Sequence, residues 1–94
     1  MYSRVITPSA KRSLKKLPKI IREQILIATK ILEKEPLSSE KLAGGLNFLY
    51  SFHFKYQDVH YRVAYTIDQE NSLVIIHFTD TRENFYQKLR ALFK

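Results

Sequence analysis

The sequence predicts an α+β fold in the order β-α-α-β-β-β-α, an antiparallel meander sheet covered on one face by a helical hairpin. Three observations predict it. Apolar residues recur at helical spacing from Ala10 to Leu32, and they alternate at every second position from Tyr50 to Ile67. Pro8, Pro18 and Pro36, with the pair Gly44 and Gly45, fall where those periodicities break. The 94 residues suit one domain, 1–94, near the usual size for a single core.

Each element follows from its residues. Residues 2–7 form a short first strand ended by Pro8. Thr7 or Ser9 then caps a helix, because a side-chain oxygen satisfies an orphan N–H of the first turn. Ala10, Leu14 and Leu17 give that helix one apolar stripe, with basic residues on its other side. Pro18 interrupts it and opens a second helix, since proline is tolerated in a first turn but not in an interior. Ile21, Ile25, Ala28 and Leu32 form the second buried stripe, and Pro36 stops it. Residues 37–47 are a connector. Tyr50, Phe52, Phe54 and Tyr56 alternate with Ser51, His53 and Lys55, the period of a half-buried strand. Tyr61, Val63, Tyr65 and Ile67 alternate with Arg62, Ala64 and Thr66. Residues 68–72 turn, and 73–79 is apolar on both sides, as a central strand would be. Residues 84–93 form a terminal helix with Phe85, Leu89 and Leu92 or Phe93 facing inward.

Composition narrows the function classes. The chain has no cysteine, hence no disulfide framework, thiolate nucleophile or cysteine metal site. No apolar run reaches the roughly 20 residues a membrane span needs, and the amino terminus lacks a signal-peptide core. A cytoplasmic protein is expected, without cofactor or metal and with no membrane partner. The formal net charge is +7, and it is unevenly spread. Residues 1–34 carry nine Lys and Arg against two Glu, whereas residues 35–94 carry seven of each sign. Such a field favours encounter with a polyanion or an acidic protein. Lys11, Arg12, Lys15 and Lys16 are its densest part and the expected RNA-binding series, together with Lys55.

A turn near residues 57–60 would pair strand residues whose numbers add up to about 117. Lys55 then faces Arg62, His53 faces Ala64, and Ser51 faces Thr66. These polar residues share one sheet face, left open once the hairpin covers the aromatic one. Arg82 and Tyr86, four apart on one helical face, approach that face from the end of the last strand. Guanidinium groups, a phenol and an imidazole suit the grip and cleavage of a phosphodiester. Arg62 could instead pair with Asp58 or Asp80, and Arg82 with Glu83. His60, in a turn, and His77, on an apolar strand, read as structural, and no His, Asp and Glu spacing suggests a metal site.

With these residues in hand, the chain resembles the RelE/ParE superfamily of toxins from bacterial type II toxin–antitoxin pairs. The signals are Leu42-Ala-Gly-Gly-Leu46, Tyr50-Ser-Phe-His-Phe54, His60-Tyr-Arg-Val-Ala-Tyr65 and Thr81-Arg-Glu-Asn-Phe-Tyr86. The resemblance implies a RelE-like fold and a metal-independent endoribonuclease that cleaves mRNA on the ribosome. The 2′-hydroxyl attacks the adjacent phosphate, leaving a 2′,3′-cyclic phosphate and a 5′-hydroxyl. It implies further that Arg62 steadies the phosphate and Arg82 clamps it a second time. Tyr86 stacks on a base or moves a proton. RelE itself has two lysines on the first hairpin strand, where this chain has Ser51 and His53; His53 would fill the acid/base role, as histidine does in some relatives. A cognate antitoxin, acidic or amphipathic, is expected to cover the polar face or displace the last helix. The alternative within the superfamily is a ParE-like inhibitor of DNA gyrase without nuclease activity.

Overall fold

The protein is described by a computed structural model over residues 1–93; Lys94, the last residue of the expected domain, lies outside the described residues. Five strands form one sheet: β1 (Ser3–Ile6), β2 (Glu40–Lys41), β3 (Tyr50–Tyr56), β4 (Val59–Asp68) and β5 (Leu73–Thr81). Their order across the sheet is β1-β5-β4-β3-β2. The last three make the expected antiparallel meander. Two refinements surround it. β1 runs parallel to β5, pairing Ser3 with Leu73 through to Ile6 with Ile76. β2 emerges from the connector and pairs Glu40 with Ser51.

The helices are α1 (Pro8–Lys15), α2 (Lys19–Ala28) and α3 (Arg82–Leu92). Thr7 is the cap of α1: its hydroxyl accepts the Ala10 N–H at 3.1 Å. Ala10 and Leu14 from α1 and Ile21 and Ile25 from α2 pack on Tyr61, Val63, Tyr65, Val74 and Ile76. Burying each such aliphatic side chain contributes about 1.5–3 kcal/mol, so this face is the main core. Ser13, also buried, accepts the Thr79 N–H with its Oγ at 3.1 Å. The bond is needed because β1 ends opposite Ile76 and leaves the outer edge of β5 without a strand partner beyond it.

α2 ends well before Pro36. Residues Thr29–Glu33 tighten into a 3₁₀ turn, because the Thr29 hydroxyl donates back to the Ile25 carbonyl at 2.9 Å. Arg4 completes that terminus: Nη1 donates to Thr29 Oγ1 at 2.7 Å and also to the Leu26 carbonyl. One of the nine basic residues of the first third is therefore a helix cap. Thr29, fully buried, sits in the interior, and Ala28 of the expected stripe is only partly buried.

The hairpin register differs from expectation by two residues. Lys55 pairs with His60, His53 with Arg62, and Ser51 with Ala64. The cause is a tighter turn: Gln57 and Asp58 both adopt positive φ, 47° and 68°, so two residues close the hairpin. A slip of two preserves which side chains share a face, whereas a slip of one would have inverted them. The polar face is not wholly open, however. Phe85 and Leu89 of α3, with Leu42, Leu46 and Leu49, bury Ala64 and form a second core there. Ser51 lies on that covered half, 3% exposed. At its far end, β5 carries a bulge: Ala64 pairs with Phe78 and Tyr65 with Ile76, leaving His77 as the extra residue.

Candidate functional site

The uncovered half of this second face lies where β3, β4 and the start of α3 meet. Alternation along the strands sends His53 and Lys55 of β3, and His60 and Arg62 of β4, to the same side. α3 begins immediately after β5, so Arg82 stands at the sheet's end and Tyr86 one turn further on.

Arg62 and Tyr86 touch. Arg62 Nη1 donates to the Tyr86 hydroxyl at 3.0 Å, and the guanidinium carbon lies 5.5 Å from the centre of the Tyr86 ring. The carboxylate directly across the strand pair, Asp80, is only 13% exposed and is held by Lys88 at 3.0 Å. The expected alternative partners of the arginines are thus not engaged: among the described residues neither Arg62 nor Arg82 forms an ion pair.

Arg82 joins Arg62, His53, His60 and Tyr61 around a small hollow of about 30 Å³. A neighbouring cleft of about 230 Å³ shares His60 and Arg82 with it and adds Asp58, Val59, Thr81 and Glu83. Burial, and next the Arg62 guanidinium, push the His53 imidazole below its ordinary value, with Glu40 acting in the other direction. Neutral imidazole is the form that accepts a proton. Uncompensated guanidiniums beside such a group can bind an oxyanion and stabilise charge developing on it.

The other expected contacts lie elsewhere. Lys55 is exposed, 3.8 Å from Asp58, and faces His60. Lys11, Arg12, Lys15 and Lys16 are exposed on α1 and do not line the hollow. Arg12 and Lys16 border a separate groove of about 460 Å³ between α1 and α3, floored by Phe78 and Leu92 and also edged by Lys88. Among the described residues, no three His, Asp or Glu side chains gather as a metal ion would require. Among the described residues, no helix is long and apolar enough to cross a membrane.

His60 is the site residue that the sequence did not reveal. It looked like a turn residue because the hairpin was expected to close later. Moving the turn to Gln57 and Asp58 places it on β4, two residues before Arg62 and on the same face. The alternation of His60 and Arg62 was the signal available.

A basic protein with this sheet, a helical hairpin on one face and paired arginines on the other belongs to a defined class. The chain is a member of the ParE-like toxin family of type II bacterial toxin–antitoxin systems, whose sequence model matches residues 5–90. Among solved structures, a chain of the RelBE2 toxin–antitoxin complex from Mycobacterium tuberculosis is 32% identical, with a TM-score of 0.75 over 86% of this chain and 98% of that one. The archaeal RelE–RelB complex from Pyrococcus horikoshii gives 27% identity and a TM-score of 0.61, over 86% and 94%. A free-state mutant of Escherichia coli RelE shares the fold at 21% identity, with a TM-score of 0.75 over 97% and 94%. No curated protein matches the chain in sequence.

Proposed function

We propose that this toxin is a metal-independent endoribonuclease that cleaves mRNA on the ribosome, acting in the cytoplasm as a single domain. The observation that carries the reading is the hollow itself. Among the described residues, two arginines without carboxylate partners and a histidine whose pKa is lowered line it, groups suited to holding a phosphate. In the reaction, His53 takes the proton from a 2′-hydroxyl as its oxygen attacks the adjacent phosphorus. Arg62 and Arg82 hold the non-bridging oxygens as charge builds. Tyr86 holds Arg62 by accepting its hydrogen bond, and its ring is available to a flanking base.

The partner that restrains it is a cognate antitoxin, as in the RelB-containing complexes among its structural relatives. An acidic or amphipathic antitoxin suits the basic α1 and the groove between α1 and α3. Expression of the chain without an antitoxin tests the proposal. Growth arrest with messages cut to 2′,3′-cyclic phosphate and 5′-hydroxyl ends supports it; arrest with intact mRNA contradicts it.

One observation favours a second reading, a ParE-like gyrase inhibitor: β3 presents Ser51 and His53 where RelE-type nucleases carry lysines, and Ser51 is buried. Purified gyrase separates the two. Inhibition of supercoiling by the chain, with RNA left whole, would favour the inhibitor.

A further inference from the structure

The transesterification above needs two proton transfers, and His53 supplies one. Building on the nuclease reading, we propose that His60 is the general acid, delivering a proton to the 5′-oxygen as it leaves.

The geometry carries the assignment. His53 pairs directly with Arg62, and His60 lies two residues from Arg62 on the same face, which makes the two histidines diagonal neighbours across β3 and β4. Sheet geometry sets such residues about 7–8 Å apart. Both histidines border the hollow that Arg62 and Arg82 also line, where the nuclease reading seats the phosphate. His60 borders both the hollow and the adjoining cleft, so it also stands where the departing strand would leave.

The remaining candidates are less suited. The Tyr86 hydroxyl accepts the Arg62 hydrogen bond, and Tyr86 does not border the hollow. Lys55 is exposed beside Asp58 and does not border the hollow. Groups facing His60 come from every neighbouring element: Lys55 and His53 on β3, Asp58 in the turn, Arg62 on its own strand, and Arg82 and Glu83 at the start of α3. The burial and the Arg62 charge that lower the His53 pKa fit it to be the base. Imidazole is the side chain that carries a transferable proton near neutral pH.

The step balances without any further reagent. The O2′ proton moves to His53, the O2′–P bond forms, and the P–O5′ bond breaks. The proton on His60 goes to O5′, giving a cyclic phosphate and a 5′-hydroxyl. Histidine 53 ends protonated and His60 neutral, and exchange with solvent resets both.

Two substrates test it on programmed ribosomes: ordinary RNA, and RNA whose bridging 5′-oxygen is replaced by sulfur, a leaving group that needs no proton. His60→Gln should slow ordinary RNA by about 10²- to 10⁴-fold. It should cleave the thio substrate at nearly the parent rate, which also shows that the variant is folded. The alkaline limb of its pH–rate profile should flatten. His53→Gln should slow both substrates. A His60→Gln chain that matches the parent on ordinary RNA, or slows both substrates equally, overturns the assignment and leaves the nuclease reading standing. A parent chain that cleaves neither substrate removes the nuclease reading and this role with it.

Discussion

Arg62 and Tyr86 form a single unit: one guanidinium nitrogen donates to the phenol at 3.0 Å while the guanidinium lies over the ring. The contact joins β4 to α3, so it orients the arginine and anchors the helix at once. On the nuclease reading, Arg62→Ala should lower cleavage by about 10²- to 10³-fold, the range for loss of one transition-state donor. Arg62→Lys should fail to restore it, because an ammonium lacks the planar fork. Tyr86→Phe keeps the ring and should cost less than about 1 kcal/mol of stability, since the lost bond is exposed. Single-turnover cleavage and urea unfolding of the three variants check these outcomes.

Lys88 holds the carboxylate that stands across the strand pair from the same arginine. Its ammonium occupies the Asp80 carboxylate, which would otherwise face Arg62 from the paired strand position. On the nuclease reading, Lys88→Met should therefore turn Arg62 toward Asp80 and weaken RNA binding. Adding Asp80→Asn to that variant should recover most of the loss. RNA affinity at two salt concentrations measures it, because the effect is electrostatic.

Acid should destabilise the fold before any carboxylate titrates. Burial lowers the pKa of His77, which contacts Thr66 at 2.8 Å and meets the Phe93 ring edge-on, and His53 is lowered too. The unfolded chain then binds protons that the folded chain refuses. Stability is full above the ordinary histidine value of about 6.5 and declines as pH falls through it toward the lowered folded values. The urea midpoint should be lower at pH 5.5 than at pH 7.5, and His77→Gln should shrink that difference. Asp68, lowered by its bonds from Asn71, acts in a separate and more acidic window.

Ser13→Ala tests the tie between α1 and the sheet. It leaves the Thr79 N–H buried without a partner, at a cost of about 1–3 kcal/mol. Ser9→Ala, one turn earlier on the same basic helix but in a surface contact to Arg12, should change stability little. Equilibrium unfolding of both variants distinguishes a structural bond from a surface one.

The elements were legible wherever periodicity was strong. The alternation from Tyr50 to Ile67 yielded β3 and β4 and sorted their side chains to the correct faces. Leu14, Ile21 and Ile25 likewise marked the buried sides of α1 and α2. What could not be read depended on backbone angles or on distant partners. Nothing in the residue types of Gln57 and Asp58 required two successive positive φ values, so the register slipped and His60 was misplaced. The cap at the end of α2 is Arg4, which reaches Thr29 from the first strand. The cover over Ser51 depends on a helix folding back from the far end of the sequence. Within the candidate site, the arginines and Tyr86 carried a motif, whereas the Lys88–Asp80 ion pair beside them had no pattern to reveal it.

The parallel pairing of Ser3 with Leu73 sets an order of assembly. The first strand synthesised has no place in the sheet until its neighbour, made much later, is available, and contacts of such long sequence separation form slowly. Arg82 and Tyr86 arrive later still, on α3. A nascent chain therefore holds neither a closed sheet nor the contact between Arg62 and Tyr86 until the helix that carries Tyr86 has been made.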